Sequence, residues 1–197
     1  MAAKAILFNG PPRSGKDTAG DAVRSAFTGT MKVKFSDPLK DGVHGLYGFH
    51  GVSVDYFEDT KDLEQEDLLG YTPRQAYIDL SENYVKPCHG KDAFGKIATR
   101  RMARKIEEIE DRFDPIFVVP DLGFVEEAIP VRDLLGAENV LTLQLFREGK
   151  TFAGDSRNYV DLYGVKTIKV LNDDLETFKR TIQRIVRTWL TNPGGII

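Results

Sequence analysis

The sequence has only one cysteine, Cys88, among its 197 residues. A lone cysteine excludes an intramolecular disulfide, and such scarcity is typical of chains that fold in a reducing cytoplasm. Long apolar runs are also missing, since none approaches the roughly 20 residues that a membrane-spanning helix needs. The short apolar run near the N-terminus stops at a glycine–proline turn and lacks the flanks of a signal peptide. We therefore expect a cytoplasmic chain without a membrane partner.

An excess of basic residues is absent as well. Lysine and arginine total 27 against 30 acidic residues, a formal net charge of -3. This balance argues against general nucleic-acid binding, although it allows a local basic pocket. The three histidines lack metal-ligand spacing and no serine–histidine–acid pattern is present, so neither a zinc site nor a hydrolase triad is predicted. The length suits one domain with a small inserted lid.

Short apolar runs alternate with segments of helical period. The predicted strands cover 5–9, 31–35, 115–119, 139–146 and 166–172. Predicted helices begin near residues 16, 37, 72, 91, 125 and 174, and Pro130 should kink or split the fifth. Residues 48–112 read as mainly helical, 147–164 as a loop or lid, and 192–197 as a frayed end. The pattern predicts an α/β fold of three layers, a parallel sheet of about five strands with helices on both faces.

The stretch GPPRSGKDT, residues 10–18, lies between the first predicted strand and the first helix. Its G-x-x-x-x-G-K spacing is that of a phosphate-binding P-loop, in which glycines let backbone N–H groups turn inward and the lysine adds a cation. The following helix directs its positive end to the same place. The candidate ATP-binding residues of this stretch are Gly10, Arg13, Ser14, Gly15, Lys16, Asp17 and Thr18.

Two acidic residues are candidate magnesium ligands. Asp17 stands where a P-loop usually has the hydroxyl that binds magnesium, and Thr18 supplies a hydroxyl one place later. An acid in the first turn of a helix is also favourable for structural reasons alone. Asp121 follows the apolar strand 115–119, at the sheet edge where ligands bind, and an acid there can orient magnesium-bound water. The alternative for Asp121 is a helix cap.

Further charged residues are candidates for contacts with phosphate or with a second substrate. Asp37 and Lys40 follow the second strand, where Asp37 would otherwise be a plain N-cap. Arg74 stands at a helix start. Arg101 belongs to a basic cluster that a solvated helix face also explains.

Arg147 is the first residue of segment 147–164, and Arg157 lies within it. Phosphoryl transfer spreads negative charge over the transferred group, and arginines carried by a closing segment commonly stabilise that charge.

Six motifs in order, GPPRSGKDT, FSDPLK, YTPRQAY, GKDAFGK, VVPDLGFVEEA and VLNDDLETF, resemble the phage-type deoxynucleoside monophosphate kinases. More loosely, they resemble P-loop kinases of the phosphomevalonate and dephospho-coenzyme A types. The lysine–aspartate–threonine ending of the P-loop is normal in the first family. The resemblance implies a single P-loop kinase domain over 1–197. This domain would use ATP and Mg²⁺ to phosphorylate deoxynucleoside monophosphates, as a homodimer, and in the host cytoplasm if a phage encodes it.

The resemblance also implies roles for individual residues. Lys16, Asp121 and Arg157 would be catalytic, with Asp17 and Asp121 near the metal. Arg147 and Asn172 would complete the ATP site, Asn172 near the adenine, and 147–164 would be the lid. Segment 48–112 would bind the acceptor, and the acceptor residues would be Asp37, Lys40, Arg74, Asp92 and Arg101.

One position departs from the family pattern. In the family, the segment after the third strand has an arginine two places after its aspartate, and this sequence has Gly123 there, in DLGF. Arg132, Arg157 or a side chain of a partner subunit would have to replace that arginine. A non-kinase P-loop ATPase or GTPase is the remaining alternative, although the sequence has no N-K-x-D motif and DLGF does not fit D-x-x-G.

Overall fold

A single parallel sheet organises the computed structural model, which describes residues 2–110 and 112–192. The sheet has 5 strands in the order β2-β3-β1-β4-β5, and every pairing is parallel. The strands are β1 (Lys4–Asn9), β2 (Thr30–Lys32), β3 (Ile116–Leu122), β4 (Val140–Phe146) and β5 (Lys166–Leu171). The predicted parallel sheet is therefore confirmed, and its order places the carboxyl ends of β1 and β3 side by side.

Six helices begin within two residues of a predicted start, and the short α4 (Lys86–His89) was not predicted. They are α1 (Lys16–Ala26), α2 (Asp37–Leu46), α3 (Pro73–Leu80), α4 (Lys86–His89), α5 (Ala93–Ile109), α6 (Val125–Leu135) and α7 (Leu175–Thr191). A π-helical turn, Ser81–Val85, joins α3 to α4, and 3-10 turns cover Glu66–Leu68 and Ala137–Asn139. Thr72 forms the predicted capping box of α3, and the Asp174 side chain caps α7.

Both faces of the sheet are covered by helices, because alternate side chains of the buried strands point to opposite sides. On β1, Ala5 and Leu7 pack in a core with residues of α5 and α6. Ile6 and Phe8 pack on the other face with residues of α1 and α7, among them the fully buried Trp189. The result is the expected three-layer arrangement.

Several details differ from the sequence-based expectations. Strand β3 runs to Leu122 rather than 119, so Asp121 lies within the strand rather than after it. The second strand ends at Lys32 rather than 35, because the chain there turns toward β3 and its amides bind Asp121. The N-cap position of α2 is Ser36, so Asp37 is the first helical residue rather than the cap. Helix α6 runs without a break through Pro130, so the helix does not split there.

Segment 147–164 has neither helix nor strand between β4 and β5. Its second half is built into the core, where Val160 and Leu162 are buried beside β1 and β3 residues. The predicted frayed end covers 192–197, and all of it after Asn192 lies outside the described residues. No helix within 2–110 and 112–192 combines the length and apolar character needed to cross a bilayer.

Candidate active site

The loop between β1 and α1 can be built only with glycine at its two key positions. A Cβ on Gly10 would lie 2.6 Å from Ser14 Oγ and 2.8 Å from the Leu145 carbonyl oxygen. Gly15 has φ 100, and a Cβ there would lie 2.4 Å from Asn172 Nδ2. Arg13 is also left-handed, with φ 63. Such turns aim backbone N–H groups into a concavity suited to anions.

A second feature of this loop points to a ligand. The Oγ of Ser14 is buried, yet it has no hydrogen-bond partner among the described residues. An unpaired buried hydroxyl is costly, so a ligand atom that accepts a hydrogen bond from it would be favoured. A phosphate oxygen at the loop would satisfy it.

Lys16 folds back over the loop. Its Nζ donates hydrogen bonds of 2.7 Å to the carbonyl oxygens of Gly10 and Pro11. Burial, followed by the positive charge of Arg157, lowers the pKa of Lys16 to about 8. A phosphate bound here would offset both effects, because a nearby negative charge favours the ammonium form.

The two predicted magnesium ligands have different surroundings. Asp17 is exposed in the first turn of α1, with its Oδ1 3.5 Å from Lys32 Nζ. Asp121 is tied to the chain before α2: its Oδ1 accepts from the Phe35 N–H at 3.1 Å, and its Oδ2 accepts from Ser36 N–H at 3.0 Å and Ser36 Oγ at 2.8 Å. Asp121 therefore fixes the residues directly before α2, which begins at Asp37.

Residues 2–110 and 112–192 contain no group of three or more histidine, cysteine or acidic side chains arranged to hold a metal. Magnesium is usually held by one or two carboxylates together with substrate phosphates. The oxygen chemistry of Asp17 and Asp121 fits that mode, and their role as ligands stays a prediction.

The three predicted residues from the far end of the chain all reach the P-loop region. Arg147 Nη1 donates to the Arg13 carbonyl oxygen at 3.2 Å. Asn172 is buried and its Nδ2 donates to the Ser14 carbonyl oxygen at 2.9 Å, which braces the loop from behind. The guanidinium of Arg157 acts on Lys16 by its charge. The contact of Asn172 with adenine stays a prediction.

Of the predicted acceptor residues, Asp37 has the most distinctive environment. Its Oδ1 is buried and has no hydrogen-bond partner within the described chain, and burial raises its pKa. Lys40, the next candidate, is already paired: its Nζ lies 2.9 Å from Glu58 Oε2 and 3.3 Å from Asp55 Oδ1. Although burial opposes it, the bond to Glu58 raises the pKa of Lys40.

The remaining acceptor candidates carry ion pairs near the surface, with Arg74 exposed and Arg101 and Asp92 half-buried. Arg74 binds Asp62, and its charge also acts on Arg157. Arg101 Nη2 lies 3.3 Å from Asp41, and its charge lowers the pKa of Asp37 against the larger effect of burial. Asp92 pairs with Lys96 on its own helix at 2.8 Å. The structure thus brings Arg74 and Arg101 toward the site and gives Asp92 no comparable link.

Sequence reasoning missed three residues that shape this site. Asn9, the polar end of an apolar strand, donates from Nδ2 to the carbonyl oxygens of Leu122 and Asn158, both at 3.1 Å. Its Oδ1 accepts from the Val160 N–H at 2.9 Å, which fastens segment 147–164 to the sheet.

The other two are acidic. Asp155 accepts three hydrogen bonds from Arg157, two residues later, a spacing that is the only local signal for its role. Glu127 is buried beneath Gly123, where burial and the charge of Asp121 raise its pKa to about 8. No sequence pattern distinguishes the buried Glu127 from the half-buried Glu126 beside it on α6.

Comparison with known proteins supports the resemblance that the motifs indicate. No family model matches the sequence. Over 140 residues the chain is 26% identical to the deoxynucleotide monophosphate kinase of Enterobacteria phage T4, a match that covers 61% of this chain and 57% of that protein. Among solved structures, an unliganded sugar kinase from Janibacter sp. HTCC2649 aligns over 97% of this chain and 96% of that chain, with TM-score 0.42 and 14% identity. The relationship to the phage enzyme, together with the P-loop geometry, supports a kinase of the P-loop type.

Proposed function

We propose that this chain is an ATP-dependent kinase that transfers the γ-phosphoryl group of ATP to a deoxynucleoside 5′-monophosphate. The observation that carries the proposal is the P-loop itself, with a buried unpaired hydroxyl on Ser14 and Lys16 folded over it. The similarity to the phage kinase supports the choice of acceptor. A single domain performs the reaction, with segment 48–112 binding the acceptor and 147–164 acting as the lid.

On the donor side, the chain neutralises phosphate charge with groups that are already in place. Backbone N–H groups of the loop and the positive end of α1 face the phosphates. Lys16 exchanges its two carbonyl partners for phosphate oxygens, which are stronger partners because they are charged. Asp17 and Asp121 would hold Mg²⁺, which lessens the negative charge that the γ-phosphoryl group presents to the acceptor.

On the acceptor side, the phosphate oxygen that attacks is already an anion, so the reaction needs positioning rather than a strong base. Arg74 and Arg101 are the cations that hold the acceptor phosphate. The buried unpaired Oδ1 of Asp37 accepts a hydrogen bond from a donor group of the nucleotide. Lys40 holds the turn carrying Glu58 against α2 and so shapes the site from behind.

Closure of the lid excludes water and thereby limits hydrolysis of ATP. Asn9 anchors residues 158 and 160 to the sheet, so the part that moves lies between 147 and 157. This moving part carries both Arg147 and Arg157. Both side chains already reach the P-loop region, so they place positive charge beside the transferred group once the nucleotide is bound.

A homodimer is the proposed assembly. Large apolar side chains are exposed on the acceptor segment and its approach, namely Leu46, Tyr56, Leu63, Leu69 and Tyr84. Side chains of this kind can contribute to a subunit interface where they lie side by side. Light scattering during size-exclusion chromatography should give twice the chain mass, and the mass of one chain would refute the dimer.

The assay of the proposed function measures ADP release with ATP and Mg²⁺ over a panel of acceptors. The panel contains the deoxynucleoside and ribonucleoside monophosphates, phosphomevalonate, dephospho-coenzyme A, and a reaction without acceptor. We expect turnover with one or more deoxynucleoside monophosphates and little release without acceptor. Release that is independent of acceptor would indicate an ATPase, and turnover with phosphomevalonate or dephospho-coenzyme A alone would reassign the acceptor.

A further inference from the structure

Gly123 lies directly after β3, and its lack of a side chain is a matter of space rather than backbone conformation. Its φ lies outside the left-handed region in which glycine is favoured. A Cβ at this position would lie 2.7 Å from Arg157 Cδ and 3.1 Å from Arg157 Cγ. Contacts under 3.0 Å are not tolerated, so any side chain at 123 must displace the middle of the Arg157 side chain.

Asp155 holds the same arginine from the other direction. Its Oδ1 accepts from Arg157 Nε at 2.8 Å and from the Arg157 backbone N–H at 3.0 Å, while its Oδ2 accepts from Nη2 at 2.5 Å. A bidentate pair of this kind fixes the plane of the guanidinium as well as its position. Nη1 takes no part in the pair, so it stays available to a ligand.

We infer that Gly123 and Asp155 are positioning residues, which together hold Arg157 so that its guanidinium meets the phosphoryl group above the P-loop. The inference rests on the proposed function. Because Gly123 has no side chain, the aliphatic part of Arg157 can lie against it. Asp155 sets the orientation of the Arg157 guanidinium. Neither residue touches the nucleotide, and each acts through Arg157.

The electrostatics of the loop agree with this placement. The charge of Arg157 is near enough to lower the pKa of Lys16 after the larger effect of burial, and the charge of Arg74 acts on Arg157 in turn. Cations brought together repel each other until an anion binds between them. A transferred phosphoryl group supplies that anion, with charge spread over its equatorial oxygens.

The arrangement also explains how this chain manages without an arginine at position 123. An arginine there and Arg157 would compete for the same volume, since even a Cβ already clashes. Arg157 belongs to segment 147–164, so this segment supplies the positive charge instead of the end of β3. Glycine at 123 therefore leaves the space that the Arg157 side chain occupies.

The kinetic test compares Gly123→Ala, Asp155→Asn, Arg157→Ala and the double variant Gly123→Ala/Arg157→Ala. Turnover is measured with ATP, Mg²⁺ and the best acceptor of the panel. Gly123→Ala should lower kcat by about 100-fold, the size of effect that a displacement of about 1 Å produces, with the KM for ATP little changed. In the Arg157→Ala background the same substitution should cause no further loss, because its effect passes through the arginine.

Gly45→Ala is the matched control, since Gly45 is also outside the left-handed region and a Cβ there meets nothing within 4 Å. Its kcat should equal that of the wild type. An equal loss from Gly123→Ala with and without Arg157 would show that Gly123 acts independently and would overturn the inference. Wild-type turnover in Arg157→Ala would overturn it as well.

A second readout does not depend on activity. In ¹⁵N spectra the Nε–H signal of Arg157, assigned by its loss in Arg157→Ala, should shift in Gly123→Ala and Asp155→Asn but not in Gly45→Ala. An unmoved signal in Gly123→Ala would refute the positioning role even if the enzyme is active. Conversely, a wild type that is inactive with every acceptor would refute the proposed function, while this spectrum still decides whether Gly123 and Asp155 hold Arg157.

Discussion

Replacement of Glu127 by glutamine should change how the stability of the fold depends on pH. Burial, followed by the charge of Asp121, raises the pKa of Glu127 from 4.5 to about 8, against the opposing effect of Lys86 and the Gly123 and Phe124 amides. In the unfolded chain the pKa returns to its ordinary value. Between these two pKa values the folded state binds more protons than the unfolded state, so the free energy of unfolding falls as pH rises.

The size of the change in the free energy of unfolding follows from the pKa shift of Glu127. Each pH unit within the window costs up to about 1.36 kcal/mol, so the limit between pH 5 and pH 7 is about 2.7 kcal/mol. Incomplete protonation and relaxation around the buried group reduce this limit. We expect the wild type to lose about 2 kcal/mol relative to Glu127→Gln over these two pH units, because glutamine keeps the shape of the protonated acid and does not titrate.

Urea unfolding at pH 5, 6 and 7, followed by the fluorescence of Trp189, measures the difference. Trp189 is the only tryptophan and is fully buried against the sheet, so it reports loss of the core. Glu126→Gln is the control, since it removes the neighbouring acid from the same first turn of α6. If the free energies of wild type and Glu127→Gln ran parallel from pH 5 to pH 7, the reasoning about burial would be refuted.

Three further predictions address the loop, the lid anchor and the packing of the helices. Lys16→Ala should lower kcat by at least about 100-fold, as loss of a charge-stabilising group does, with an unchanged melting temperature. The control is Lys179→Ala, which removes a surface lysine paired with Glu176 at 2.9 Å. Near-normal turnover of the Lys16 variant would refute the mechanism. Asn9→Ala should destabilise the fold by about 2 kcal/mol because it leaves buried backbone groups unpaired. Amide hydrogen exchange at Val160 should accelerate, and unchanged exchange would contradict the anchoring role of Asn9. In Gly95→Ala a Cβ would lie 2.4 Å from the Glu127 carbonyl oxygen. Because such overpacking shifts the backbone, the free energy of unfolding should fall by about 2–3 kcal/mol. Gly45→Ala should not destabilise the fold, and equal stability of the two variants would argue against the contact at Gly95.

Local patterns determined much of the fold. The apolar run of β1, the glycine turn and the period of α1 lie together in the sequence, so strand, P-loop and helix can be read without knowledge of any distant contact. The capping box at Thr72 and the cap at Asp174 belong to the same class, since each involves groups three residues apart. A parallel sheet follows from the alternation of buried strands with helices.

Boundaries set by distant contacts were not predictable in this way. The second strand stops early because its following amides bind Asp121, a residue 86 positions away from Phe35. Asp37 looked like a helix cap from its place before a proline, yet Ser36 holds that position and the Asp37 Oδ1 is left buried and unpaired. Both the end of β2 and the start of α2 depend on the packing of residues 33–36 beside β3.

By itself the sequence determined that a glycine-rich loop with P-loop spacing stands between a strand and a helix, because glycine spacing and local period encode both. The tertiary structure alone decided how the other residues gather around that loop. Asn172 braces it through the Ser14 carbonyl oxygen, and Arg157 lies in the space that Gly123 leaves empty. These contacts depend on the strand order and on where segment 147–164 packs, and a pattern of neighbouring residues carries no information about which distant side chain will fill a given volume.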